Sequence, residues 1–114
     1  MTEDQLLLAV LELAKFAGWR VTHFRPARTA MGWRTAISGD AGWPDLVMVK
    51  GTRVVVVELK AARGTLSDAQ REWLRDLLRA GLECHVWRPI DWTLGVIAES
   101  LGCGQGIINR REEG

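Results

Sequence analysis

Tyrosine is missing from this sequence, cysteine and histidine occur twice each, and proline three times. Cys84 and Cys103 are too few for a disulfide scaffold and form no CxxC pair of the zinc-binding kind. Cys84-His85 has no further partners at metal-ligand spacing. No apolar run approaches the roughly 18 residues that would span a bilayer. The start carries Glu3, Asp4, Glu12 and Lys15 in place of a basic segment and an apolar core, unlike a secretory signal. The expectation is a cytoplasmic protein with reduced thiols. What remains, 114 residues of which 47% are hydrophobic and 25% charged, suits one domain (residues 1–114) with one sizeable core. A disordered, collagen-like or coiled-coil chain does not have this composition.

The net charge of +1 is uninformative, but its distribution is not. Lys15, Arg20, Arg25, Arg28, Arg34, Lys50 and Arg53 face only Asp40 and Asp45 in the same span, which leaves the remainder acidic. Such asymmetry marks either a surface for a polyanion or a solvated face.

Thr2 is placed to cap a helix from Glu3 to Ala17, stopped by Gly18. Leu6, Leu7, Val10, Leu13, Ala14 and Ala17 recur at helical spacing, so one face packs. Trp19 to Arg25 reads as a strand ended by Pro26. Ala27 to Trp43 reads as a long irregular loop, a feature that is uncommon in small domains and often functional. Asp45 to Lys50 and Arg53 to Leu59 are apolar strands joined by Gly51-Thr52, a pair suited to a type II′ hairpin. Both faces are apolar, which predicts a central hairpin covered on both sides. Ser67-Asp68-Ala69-Gln70 spells a capping box for a helix to about Ala80, with Gly81 as its stop. Leu82 to Arg88 reads as a strand ended by Pro89, and Asp91 as the cap of a last helix to about Leu101. From Gly102 the chain is glycine-rich and then charged, a tail (102–114) expected to fray. The order is helix, three strands, helix, strand, helix. It predicts an α/β domain with a mixed, mainly four-stranded sheet flanked by helices.

Three charges stand at the exits of the two apolar strands: Asp45, Glu58 and Lys60. A two-residue turn at Gly51-Thr52 sets Lys50 opposite Arg53 and therefore Asp45 opposite Glu58. Opposed residues share a face with Cβ atoms roughly 4.5–5.5 Å apart, and Lys60 shares it if the strand continues. Carboxylates that close repel unless a divalent cation lies between them, and hard cations such as Mg²⁺ take oxygen ligands. A metal on Asp45 and Glu58 can polarise a phosphodiester and lower the pKa of a water. Lys60 can position that water, help deprotonate it, or balance charge on the phosphate. The Leu59 carbonyl lies between the last two groups and can supply another oxygen. The plainer reading is a polar hairpin end with a Glu58–Lys60 pair at the rim, which explains three charges at two apolar strand exits less well.

This arrangement resembles the PD-(D/E)xK nuclease motif, with the proline present as Pro44-Asp45. Gly42-Trp43-Pro44-Asp45-Leu46, Val57-Glu58-Leu59-Lys60, Leu66-Ser67-Asp68-Ala69-Gln70 and the strand after Gly81 together resemble the VRR-NUC branch, from the first helix to about Asp91. The resemblance implies a restriction-endonuclease-like fold and DNA cleavage dependent on Mg²⁺ or Mn²⁺. Stand-alone members are similar to phage-type Holliday-junction nucleases that act as homodimers. That implies branched DNA and a second copy as partners, and a bacterial or phage-infected cell as the setting. No membrane and no organic cofactor are implied.

The family also places an acid on the first helix near the metal. Glu3 and Glu12 compete for that role on opposite sides of the helix. Glu3 stacks with Leu6, Leu7 and Val10 at the end of the packing stripe and is our choice, though support of the helix dipole is its plainer role. Gln70 has two readings as well, the reciprocal bond of its capping box and, from the resemblance, a place facing the metal. Arg25, Arg28, Arg34 and Arg63 are the choices for phosphate contacts, which position DNA without reading its sequence. Trp33 and Trp43, in or beside the long loop, either stack on an exposed base or pin the loop to the body. Trp19, Trp73, Trp87 and Trp92 read as core or a dimer seam. His23 reads as a satisfied strand histidine. Other functional classes remain in view: a catalytically inactive nucleic-acid-binding module of the same fold, a structural protein whose acids merely edge a sheet, and RNA in place of DNA.

Overall fold

The computed structural model describes residues 1–24 and 38–103 in full, and the backbone of 27–29 and 32–34. Helix α1 (Glu3–Phe16) starts at the expected cap. Thr2 Oγ1 accepts from the Gln5 N–H at 3.1 Å while Gln5 Oε1 accepts from the Thr2 N–H at 2.8 Å, a complete capping box. Its stripe Leu6, Leu7, Val10 and Ala14 is buried. Strand β1 (Arg20–His23) follows, shorter than Trp19 to Arg25 because Trp19 turns into the core, where its Nε1 donates to the Leu101 carbonyl.

The stretch expected to be an irregular loop contains β2 (Ala27–Thr29) and β3 (Gly32–Arg34), antiparallel to each other and apart from the main sheet. Strands of three residues are too short to show alternation in a sequence. Strands β4 (Leu46–Lys50) and β5 (Arg53–Leu59) form the central hairpin, pairing Lys50 with Arg53 and Leu46 with Val57 as the turn predicts. Gly51 has φ +59° and Thr52 a negative φ, the signs of a type II′ turn.

Helix α2 (Asp68–Arg79) carries the chain over to β6 (Glu83–Trp87), which lies parallel to β5. The result is a mixed four-stranded sheet in the order β1-β4-β5-β6 flanked by helices, the α/β architecture expected. In place of one final helix there are two, α3 (Pro89–Thr93) and α4 (Val96–Ser100). Pro89 opens α3 at its first position, Asp91 Oδ2 accepts from the Arg88 N–H at 2.7 Å, and Gly95 at φ +78° breaks the path before α4. The tail from residue 104 lies outside the described residues.

The two faces of the hairpin differ. Leu46, Met48, Val55, Val57 and Leu59 are fully buried with the α1 stripe, Trp87, Ile97 and Leu101. Side chains of that size contribute roughly 1.5–3 kcal/mol each when fully buried. On the opposite face Val56 is buried but Val49 is 38% exposed. Cover on both sides is therefore complete only toward β5 and β6, where α2 lies. Alternation puts Glu58 on that second face, with Val56.

Candidate active site

The main ladder ends at Leu46–Val57, one step short of Asp45 and Glu58. Beyond it Asp45 is held by two bonds. Its carbonyl accepts from the Phe24 N–H at 2.8 Å, and its Oδ2 accepts from the Leu59 N–H at 2.8 Å. Pro44, just before it, is fully buried and fixes the approach of the chain. Glu58, expected at a strand exit, is instead 2% exposed, because β6 flanks it on one side and the start of α2 lies over it.

Three groups surround the Glu58 carboxyl. Gln70 Nε2 donates to Oε1 at 3.0 Å, and Lys60 Nζ lies 3.6 Å from the same oxygen. Burial, and next the neighbouring Asp45 charge, push the Glu58 pKa up to about 8, while Lys60 pulls it down. Glu58 Oε2 is buried and has no hydrogen-bond partner. An unpaired buried oxygen of a carboxylate is costly, and a proton or a cation would remove the cost.

The donor set is one that a hard divalent cation accepts: the carboxylate oxygens of Asp45 and Glu58. No group of three or more His, Cys, Asp or Glu gathers among the described residues. A cation here would complete its shell from backbone, water and phosphate oxygens, as Mg²⁺ commonly does.

Described contacts thus join Asp45, Glu58, Lys60 and Gln70. Gln70 makes the reciprocal bond of its capping box, its Oε1 accepting from the Ser67 N–H at 2.9 Å, while its Nε2 reaches Glu58. Glu3 and Glu12 are exposed on α1, and no described contact ties either to the acid pair. Helix α1 packs on the face that holds Val57 and Leu59, opposite to the one Glu58 uses. Arg63 is exposed in the turn after Lys60, and Arg88 Nη1 braces that turn by donating to the Ala61 and Gly64 carbonyls. Arg25 and the side chains of Arg28, Arg34 and Trp33 lie outside the described residues.

Sequence reasoning missed three supporting features. Gly42, at φ +101°, lets the segment before Asp45 press on α2; a Cβ there would stand 2.6 Å from the Ala69 carbonyl carbon. Arg88, which follows the last strand, ties the chain there to the turn after Lys60. Phe24 and Trp73 join Trp43 in an aromatic cluster, with the Trp43 ring perpendicular to that of Phe24 at 6.1 Å and to that of Trp73 at 5.0 Å between ring centroids. The place of Trp43 two residues before Asp45 was the available signal.

The fold is an α/β domain with a mixed four-stranded sheet. The sequence profile of the VRR-NUC domain matches residues 21–88, more than half of the chain, and the chain belongs to that family. Among solved structures, a VRR_NUC domain protein superposes with a TM-score of 0.62 at 24% identity, over 90% of this chain and 91% of its own. That likeness establishes the fold. No curated protein matches the chain. No helix among the described residues is long and apolar enough to cross a membrane.

Proposed function

We propose that this chain is a divalent-metal-dependent DNA endonuclease selective for branched DNA such as Holliday junctions, acting in the cytoplasm of a bacterial or phage-infected cell. The observation that carries this reading is the buried, unpartnered Oε2 of Glu58 beside the Asp45 carboxylate. Asp45 and Glu58 would hold Mg²⁺ or Mn²⁺, with the Leu59 carbonyl assisting. Such an ion supplies charge neutralisation at the phosphate and a more acidic water.

The chain's own groups do the rest. Gln70 fixes the Glu58 carboxyl so that Oε2 stays turned away from its amide. Lys60 places its Nζ within reach of the site and offsets charge on the phosphate or orients a water. Helix α1 covers the other face of the sheet, so Glu3 takes no part in this proposal. Arg63, with Arg25, Arg28 and Arg34, contacts phosphates. A second copy of the chain would present two sites to a twofold-symmetric junction.

The test is incubation with a four-way junction, a flap, a duplex and single strands of DNA, and with an RNA strand, in Mg²⁺, Mn²⁺ and EDTA. Wild type and Lys60→Ala are run side by side, with sedimentation to read the oligomeric state. The expected result is metal-dependent cleavage, fastest on branched DNA and strongly reduced by Lys60→Ala. Absence of metal-dependent cleavage on every substrate overturns the proposal.

A further inference from the structure

We infer that Phe24, Trp43 and Trp73 form a seat on which one unpaired base of the DNA stacks beside the acid pair. This rests on the nuclease reading for its substrate and adds the feature of that substrate which the site selects.

Each ring stands next to a group of the site. Phe24 extends the β1–β4 pairing by one residue beyond His23–Leu46, which sets it opposite Asp45 and on the same face. Trp43 precedes Asp45 by two residues. Trp73 lies one helical turn after Gln70, whose amide holds Glu58, and residues three apart share a helix face.

Packing accounts for Trp73, which is half-buried and donates from Nε1 to the Asp40 carbonyl at 3.3 Å. It accounts only in part for the other two, which touch through Trp43 but keep exposed surface. Phe24 is 45% exposed and Trp43 37%. Both ring contacts are perpendicular, at 84° and 86°, so neither is a face-to-face stack that uses up two ring planes. Exposed aromatic surface a residue or two from a phosphate-cleaving centre suits a planar, uncharged partner. A nucleobase freed from its pair is such a partner, because every base has a π-face and stacking tolerates any sequence. A paired duplex offers no free face. The seat therefore favours junction arms, bulges and flaps over intact duplex.

The probe is a duplex carrying one unpaired 2-aminopurine, compared with the same duplex fully paired, both titrated in EDTA. Wild type should quench the unpaired fluorophore and bind that duplex more tightly. Trp43→Leu keeps apolar bulk without a π-face and should lose about tenfold in affinity for the unpaired site, with paired-duplex affinity unchanged. Trp43→Phe should retain most of the affinity and the quenching. Phe24→Leu, which leaves Trp43 and Trp73 in contact, should show a smaller loss of the same kind and guards against misfolding of the first variant. Equal affinities for the unpaired site in wild type and both leucine variants, or equal losses on both duplexes, would overturn the inference. Binding in EDTA requires no cleavage. A chain that seats the base and cuts nothing loses only the nuclease reading; one that cuts in Mg²⁺ yet binds both duplexes alike loses only this inference.

Discussion

The side-chain nitrogen of Gln70 donates to Glu58 Oε1 at 3.0 Å while the oxygen of the same amide accepts from the Ser67 N–H. The first turn of α2 and the buried acid are thereby held by one side chain. Gln70→Glu keeps an acceptor for the capping box but removes the donor and places a third carboxyl beside Glu58. It should melt below wild type, the more so at higher pH, and cleave at least tenfold more slowly. Gln70→Ala loses both bonds and should cost about 1–2 kcal/mol of stability as well as activity. Urea melts and cleavage rates on one branched substrate check both variants.

The pH dependence of stability follows from Glu58. Near and below its ordinary value of 4.5 the carboxyl binds its proton in folded and unfolded chains alike. Between that value and about 8 the folded chain keeps a proton that the unfolded chain has released, so stability falls as pH rises through this window. Above about 8 the loss is complete and amounts to a few kcal/mol on the order set by the shift. Metal-free protein should therefore melt higher at pH 5.5 than at pH 8, after correction for other groups. Mg²⁺ or Mn²⁺, binding the ionised pair, should recover stability at pH 8. Glu58→Gln should flatten the slope and abolish the metal response, which calorimetry over this pH range will show.

Much of this was legible in the sequence because it is local. One two-residue turn fixes the register that brings Asp45 and Glu58 to one face, and Ser67 with Gln70 announces the start of α2. What was not legible depends on packing between distant segments. Glu58 sits at the end of an apolar strand, and its sequence neighbourhood does not reveal that β6 and α2 close over it. Which face of the sheet α1 covers is likewise a matter of how the helix lies on it, so Glu3 and Glu12 could be ranked only by their stripes. Gly95 carries the split of the last helix, but a glycine in a short helical pattern does not distinguish a break from a tolerated residue.

Gly42 supplies a prediction about distance. At φ +101° an L side chain is strained, and its Cβ would meet the Ala69 carbonyl carbon at 2.6 Å and oxygen at 2.7 Å, backbone atoms that cannot swing away. Gly81 has a similar φ of +94° with nothing within 4 Å. Gly81→Ala thus measures strain alone, about 1–3 kcal/mol. Gly42→Ala should cost more than Gly81→Ala and, by moving α2 from Asp45, should also depress cleavage, which Gly81→Ala should not. Paired denaturation curves and initial rates decide the comparison.

Lys60 offers a charge test. Its ammonium lowers the Glu58 pKa, so Lys60→Met should raise that pKa further and shift metal binding to higher pH. Cleavage should fall by about 10²–10³-fold, the scale of losing a preorganised cation at a developing charge. Lys60→Arg restores the charge in a different shape and should recover the metal-binding profile more fully than the rate. Isothermal titration with Mn²⁺ across pH, beside single-turnover rates, separates these effects.

Asp45 combines two duties that substitution can divide. Its Oδ2 accepts the Leu59 N–H at 2.8 Å, and its charge raises the Glu58 pKa. Asp45→Asn retains an oxygen for Leu59 and removes the charge. The Glu58 pKa should fall, metal-free protein should gain stability at pH 8, and Mn²⁺ affinity and cleavage should both drop, the latter by at least about 10²-fold. Asp45→Ala removes the acceptor too, strands the Leu59 N–H, and should cost about 1–3 kcal/mol relative to Asp45→Asn. Should Asp45→Asn bind Mn²⁺ as tightly as wild type, the cation would have to be held elsewhere. A stability gain at pH 8 together with a lost Mn²⁺ response would instead tie the strain in the metal-free pair to the binding of the ion.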